Sequence, residues 1–201
     1  MSLRVYAIVM QDSQAPKLPE GVRMQPLREL AAVTEEGDYT PRDVENSDIQ
    51  RHFEIVEGLF DKDAVLPTPV GTIFRSLEVL QRWMDLHYVA LSDALAWVHD
   101  RVAARVHMSS TEAGAESGMS PDDAAVATEV ARSLRRRAVA SVPLRSEQQP
   151  NMVSTAYLVE RELWQEFADA IADEQERHQP LKIALTGPWP PYDFVRLQFG
   201  A

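Results

Sequence analysis

The 201-residue chain contains no cysteine. That absence removes disulfide staples, thiolate metal sites, iron–sulfur clusters and a cysteine nucleophile together. Nor is there an apolar run near the ~18 residues that a membrane span requires; the longest, such as Val5 to Met10, has the length of a strand. The opening Met-Ser-Leu-Arg-Val-Tyr carries one basic residue and no small-residue cleavage pattern, so no signal peptide is expected and the cytoplasm is the expected compartment. Positive charge is scarce: 20 Lys and Arg stand against 31 Asp and Glu, a net charge of −11. Residues 1–100 hold 9 basic and 17 acidic residues, residues 101–201 hold 11 and 14. So acidic a surface repels phosphate backbones at long range, and nucleic acid is not an expected partner. Arg132, Arg135, Arg136 and Arg137 form the main basic cluster, which on a helix spreads around the circumference as a solvated face.

Local signatures of catalysis are missing too: there is no G-x-S-x-G elbow, G-x-G-x-x-G, G-x-x-x-x-G-K-[ST], H-E-x-x-H or EF-hand loop. His52, His87, His99, His107 and His178 fall on different predicted elements, without the i,i+3 or i,i+4 partner that a helical metal site needs, so no metal is expected. Asp61 and Asp63 flank Lys62 at a helix exit. They fit a solvated turn or, as a competing reading, the centre of a carboxylate-based enzyme site able to hold Mg²⁺ with a phosphate ligand.

What is present, 45% apolar residues, suffices for one large or two small cores. Arg4 to Met10 is apolar on both faces, as a central strand buried on two sides is. Leu27 to Thr34 fits neither period cleanly and is taken as a second strand. Ser47 and Gln50 make a capping box ahead of the stripe Ile49, Phe53, Val56 and Phe60, which predicts a helix over 47–60. Ala64 to Leu66 is a short strand. From Ser76 onward Leu77, Met84, Leu91 and Val98 step by seven, beside Tyr88, Leu95 and Val102, and predict one long helix to about Asp100. A strand over 101–108 precedes the polar stretch Ser109 to Ser120, read as a flexible loop, and the domain boundary is placed within 100–120. Ser120, Pro121 and Asp123 then open a helix over 121–140. A strand over Met152 to Val159, a helix over 160–178 burying Leu163, Trp164, Phe167 and Ile171, a half-buried strand from Leu181, and an alternating stretch Phe194 to Phe199 complete the chain. Strands separated by helices, without a Gly-rich phosphate turn, predict an α+β fold: two small domains, 1–100 and 101–201, each a sheet with helices on one face, joined by the long amphipathic helix.

Two regions offer apolar area to a protein partner. One is the helix seam Leu77, Met84, Leu91 and Val98, together with a sheet edge near Val5 to Val9. The other is Leu185 to Val195, LTGPWPPYDFV, where three prolines and Gly187 fix the backbone around Trp189 and Tyr192. This rigid aromatic corner is either a stiff crossover covering a core edge or an exposed hot spot.

LTGPWPPYDFV closely resembles the C-terminal signature of the GvpL/GvpF gas vesicle protein family. VYAIV at Val5 to Val9, PLRELAAV at Pro26 to Val33, AVLPTPVGTIF at Ala64 to Phe74 and AYLVER at Ala156 to Arg161 support the resemblance in order. It implies a ferredoxin-like N-terminal unit and a second α+β unit, with no cofactor and no catalytic residue. It also implies a non-enzymatic minor component of the gas vesicle, or an assembly factor, that binds the shell protein GvpA and limits its aggregation during vesicle nucleation.

Overall fold

A computed structural model describes residues 1–12, 18–39, 44–110, 119–144, 152–179 and 181–195. The chain forms two compact units, the first discontinuous in sequence, Met1–Asp100 with Pro190–Ala201, and the second continuous, Arg101–Trp189. The second unit therefore lacks the end of the 101–201 span, because the chain returns to the first unit after Trp189. Within the polar stretch 109–120, Ser109 and Ser110 are in a strand of the second unit, and 111–118 lie outside the described residues.

The first unit holds β1 (Ser2–Met10), β2 (Val22–Leu27), β3 (Leu30–Gly37), α1 (Asn46–Phe60), β4 (Leu66–Pro67), β5 (Ile73–Phe74), α2 (Leu77–Leu86) and α3 (Tyr88–Val98). Its antiparallel sheet runs β2-β3-β1-β4, with β5 also pairing with β1. β1 is central and all its residues from Leu3 to Val9 are buried, so the edge anticipated near Val5 to Val9 is already taken by β4 and β5. Tyr6 faces α1, and Val5 and Ile8 face the core built with α2 and α3. Helices thus cover both faces of this sheet, not one. The single strand expected over Leu27 to Thr34 is a β2–β3 hairpin turning at Arg28 and Glu29, where Arg28 takes a φ of 54°. No glycine marks that turn, which is why the residue pattern does not announce it.

α1 begins as expected but with a different cap: the Glu45 N–H donates to Asp48 Oδ2 (3.3 Å), in place of a Ser47/Gln50 box. Its buried stripe is His52, Ile55, Val56, Leu59 and Phe60, and Phe53 is exposed. The long helix is two helices. His87 leaves helical geometry (φ −102°, ψ 12°), its Nδ1 meets the Trp83 carbonyl at 2.8 Å, and its ring stacks on Trp83 at 4.8 Å. Both helices belong to the first unit, so neither is a connector; the chain passes from α3 to the next strand through Asp100, at φ 55°.

The second unit holds β6 (Arg101–Ser110), α4 (Pro121–Arg135), β7 (Ala140–Leu144), β8 (Val153–Glu160), a 3-10 turn (Arg161–Leu163), α5 (Trp164–Arg177) and β9 (Leu181–Trp189). Its antiparallel sheet runs β7-β8-β6-β9. A βαββαβ chain with this strand order is the ferredoxin-like arrangement, so that topology lies in the second unit; the first, which opens with three consecutive strands, does not have it. Ser120 Oγ accepts the Asp123 N–H (3.0 Å) and Pro121 opens α4, as the residue pattern indicates. The core gathers Val130 and Leu134 from α4, Phe167 and Ile171 from α5, and the buried faces of β6 and β8, whereas Leu163 is exposed.

Four outermost strands carry a proline, Pro26 in β2, Pro67 in β4, Pro143 in β7 and Pro188 in β9, and β5 is only two residues long. Proline lacks the N–H that a neighbouring strand would need, so it is tolerated at an edge and discourages edge-to-edge association.

Candidate partner-binding surface

The seven-residue seam turns inward. Met84, Leu91 and Val98 are buried, with Leu80, Trp83 and Leu95, against Val5, Ile8, Leu30, Ala32 and Leu66, and Leu77 is half-buried. A repeat spacing identifies the apolar face of a helix but not what covers it; here the cover is the chain's own sheet. These residues are therefore closed to a partner of the folded protein. Exposed apolar residues lie elsewhere on the same helices: Val79 and Leu86, two turns apart in α2, and Val89 and Trp97 in α3, with Leu86 79% and Val89 70% exposed. Only the opposite face of the helical pattern could have flagged them, as isolated apolar residues among charged ones.

The aromatic corner divides between the units. β9 continues through it: Ala103 pairs with Trp189 and Arg105 with Thr186, a bulge that absorbs one extra residue around a cis Gly187-Pro188 bond on the edge strand. Gly187 takes φ +128°, and a Cβ there would stand 2.8 Å from the Ala103 carbonyl oxygen. Trp189 is 38% exposed, and its Nε1 donates to Thr186 Oγ1 (3.2 Å). Tyr192 is half-buried in the first unit, its ring 5.5 Å from Phe53 and 6.3 Å from His52; Phe194 lies against Trp97, and Val195 packs on the core. Tyr192 is thus a packing residue, and Trp189 presents surface. The alternation expected over Phe194 to Phe199 yields no strand at 194–195, and 196–199 lie outside the described residues.

Beneath α1 is a network that no local motif announces. The buried Arg4 guanidinium donates to Asp48 (2.6 Å) and lies over the Tyr39 ring at 4.5 Å; Tyr6 Oη donates to Glu35 (2.6 Å), which also accepts from Arg51 (2.6 Å). Burial raises the Tyr6 phenol, helped by its hydrogen bond to Glu35, to about 12. Burial alone would raise Glu35, but hydrogen bonds from Arg51 and Tyr6 outweigh it and hold the carboxyl below its ordinary value. His52, 1% exposed and 5.6 Å from the Tyr6 ring, is pushed down to about 4 by burial, aided by the Arg4 charge and opposed by the Thr68 backbone. Tyr6, Arg4 and Thr68 lie on other elements, 46, 48 and 16 positions away in sequence, which is why the histidine pattern shows only an isolated residue. The network ties α1 to β1 and β3; it is a positioning device.

Asp61 caps the exposed end of α1, and Asp63 accepts the Ala64 N–H at 2.6 Å. Asp63 lines an open cleft of about 540 Å³ with Met10, Asp12, Glu29, Ala64, Ser92, Leu95, Ala96 and His99; Asp61 does not line it. That cleft thus holds one of the two carboxylates among its described lining. Among the described residues no group of three or more His, Asp or Glu is placed to hold a metal ion, and no helix is long and apolar enough to cross a membrane.

The gas vesicle synthesis protein GvpL/GvpF family model matches residues 3–119 and 110–196. Gas vesicle protein F2 of Halobacterium salinarum is 25% identical over 177 residues, 87% of this chain and 80% of that protein; gas vesicle protein F of Haloferax mediterranei is 28% identical over 178 residues, 87% and 81%. The crystal structure of GvpF from Anabaena sp. PCC7120 superposes with a TM-score of 0.79 at 13% identity, covering 98% of this chain and 97% of that one. That of GvpF from Microcystis aeruginosa gives 0.79 at 12%, covering 98% and 99%. The α+β fold in two sheet-plus-helix units is therefore shared with these structures. The chain belongs to the GvpL/GvpF family of gas vesicle synthesis proteins and has a gas vesicle accessory role.

Proposed function

We propose that this protein acts in the cytoplasm as an assembly factor or minor vesicle component that binds the shell protein GvpA and limits its aggregation during nucleation. The observation that carries the reading is the family match, which spans nearly the whole chain. A subunit that packs into a gas-tight wall exposes apolar surface before assembly, and such surface aggregates unless covered. The exposed Val79, Leu86 and Val89 are the apolar contact we assign to the first unit, replacing the inward seam, and Trp189 the contact in the second. The net charge of −11 keeps the loaded complex dispersed.

The test is co-expression with GvpA. More GvpA in the soluble fraction and its copurification with the full chain are expected, and L86E/V89E weakens both without changing the melting temperature. Failure of the wild-type chain to copurify GvpA or raise its solubility would remove the assembly-factor reading. Copurification undiminished in L86E/V89E would remove the assigned surface alone.

A further inference from the structure

The cleft of the first unit has an apolar floor and a rim of one charge. Met10, Ala64, Leu95 and Ala96 supply the floor; Asp12, Glu29 and Asp63 stand around it with His99, and among the described residues no Lys or Arg lines it. The rim is built rather than incidental. Tyr88 Oη donates to Glu29 Oε2 (3.1 Å), and the Ala64 N–H fixes Asp63. Arg28, next to Glu29, is drawn away by Asp85 (2.5 Å) and by the Tyr88 ring, 4.7 Å from its guanidinium carbon, so it does not neutralise the rim. Among the described residues no group of three or more His, Asp or Glu is placed to hold a metal ion, and a volume of about 540 Å³ suits side chains. A Lys or Arg satisfies both parts at once, with its aliphatic stem along Met10 and Leu95 and its charged head among the carboxylates.

We propose that this cleft is a docking site for an amphipathic segment of a protein partner that carries Lys or Arg beside an apolar residue. The choice of a protein occupant rests on the partner reading above; the charge and shape of the occupant rest on the cleft alone. Charge complementarity of this kind sets specificity and encounter rate, and it weakens with salt.

The test titrates the full chain, observed by amide NMR, with a 14-residue amphipathic peptide of Leu and Lys and with its counterpart carrying Glu for every Lys. The Lys peptide should shift Met10, Ala64, Leu95 and Ala96 and bind at least tenfold more tightly than the Glu peptide. D12K/E29K should lose at least tenfold, and D12N/E29Q, which keeps an acceptor for Tyr88, should lose less while melting as the wild type does. E162K/E166K on the exposed surface of the second unit makes the same change in net charge and should bind as the wild type does. Equal binding of both peptides, undiminished binding by D12K/E29K, or equal losses in E162K/E166K would overturn the proposal. So would spermidine saturating the same residues as tightly as the peptide, which would mark a small-amine site. GvpA copurification is scored separately: Lys-peptide binding without GvpA copurification leaves the cleft standing and removes the shell-protein reading, and the reverse result removes the cleft alone.

Discussion

Replacing Leu91 by Ala and, separately, Leu86 by Ala separates core from surface on the adjoining helices α3 and α2. Leu91 is 0% exposed and packs within the core that α2 and α3 share with β1 and β3. Truncation there removes buried methyl groups and leaves a cavity, a change worth about 3 kcal/mol within the roughly 2–5 kcal/mol seen for such substitutions. For a chain of this length, about 3 °C of melting temperature accompanies each kcal/mol, so L91A should melt roughly 10 °C lower. Leu86 is 79% exposed, and L86A should stay within about 0.5 kcal/mol of the wild type. Thermal unfolding followed by circular dichroism reads both. An L91A protein that melts within 2 °C of the wild type but no longer copurifies GvpA would refute the placement of the seam in the core.

At Gly187 the conflict is with backbone: φ +128° and the Ala103 carbonyl at 2.8 Å make G187A destabilising by about 2 kcal/mol, measured by urea unfolding. In α1, where a Cβ on Gly58 would meet nothing within 4 Å, G58A should stabilise by about 0.5–1 kcal/mol in the same assay. His52 gives a pH dependence. Its folded pKa of about 4 lies below the ordinary 6.5, so the unfolded chain takes up the proton first. Stability is intact above pH 6.5 and falls by on the order of 3 kcal/mol as pH drops to about 4; H52F should flatten that slope. Glu35, held below its ordinary 4.5, adds a loss only as pH falls below that value toward its folded pKa, and E35Q should remove this lower limb.

Features written in short stretches of sequence were legible. The run Val5 to Met10 marks β1, Ser120-Pro121 marks the start of α4, and LTGPWPPYDFV marks the family. Features that depend on tertiary partners were not. The step of seven through Met84, Leu91 and Val98 shows an apolar face but neither its cover nor the break at His87, which arises from one ring bonding to the Trp83 carbonyl. The β2–β3 turn was hidden because Arg28, not glycine, takes the positive φ. β7 was not anticipated: the helix was expected to reach residue 140, whereas α4 ends at Arg135 and β7 takes Ala140–Leu144. Pro188 is compatible with β9 because it is an outermost strand with a bulge, and only the strand order reveals that. The Arg4–Asp48 and Tyr6–Glu35–Arg51 contacts join residues far apart in sequence, so no motif holds them.

The central claim is that this chain covers the apolar surface of the shell subunit before assembly. It is tested most directly by diluting GvpA from denaturant into buffer with and without one molar equivalent of the full chain and following light scattering. The account predicts a delayed and reduced rise with the wild-type chain and a smaller delay with L86E/V89E. Scattering that rises identically with and without the wild-type chain would contradict it.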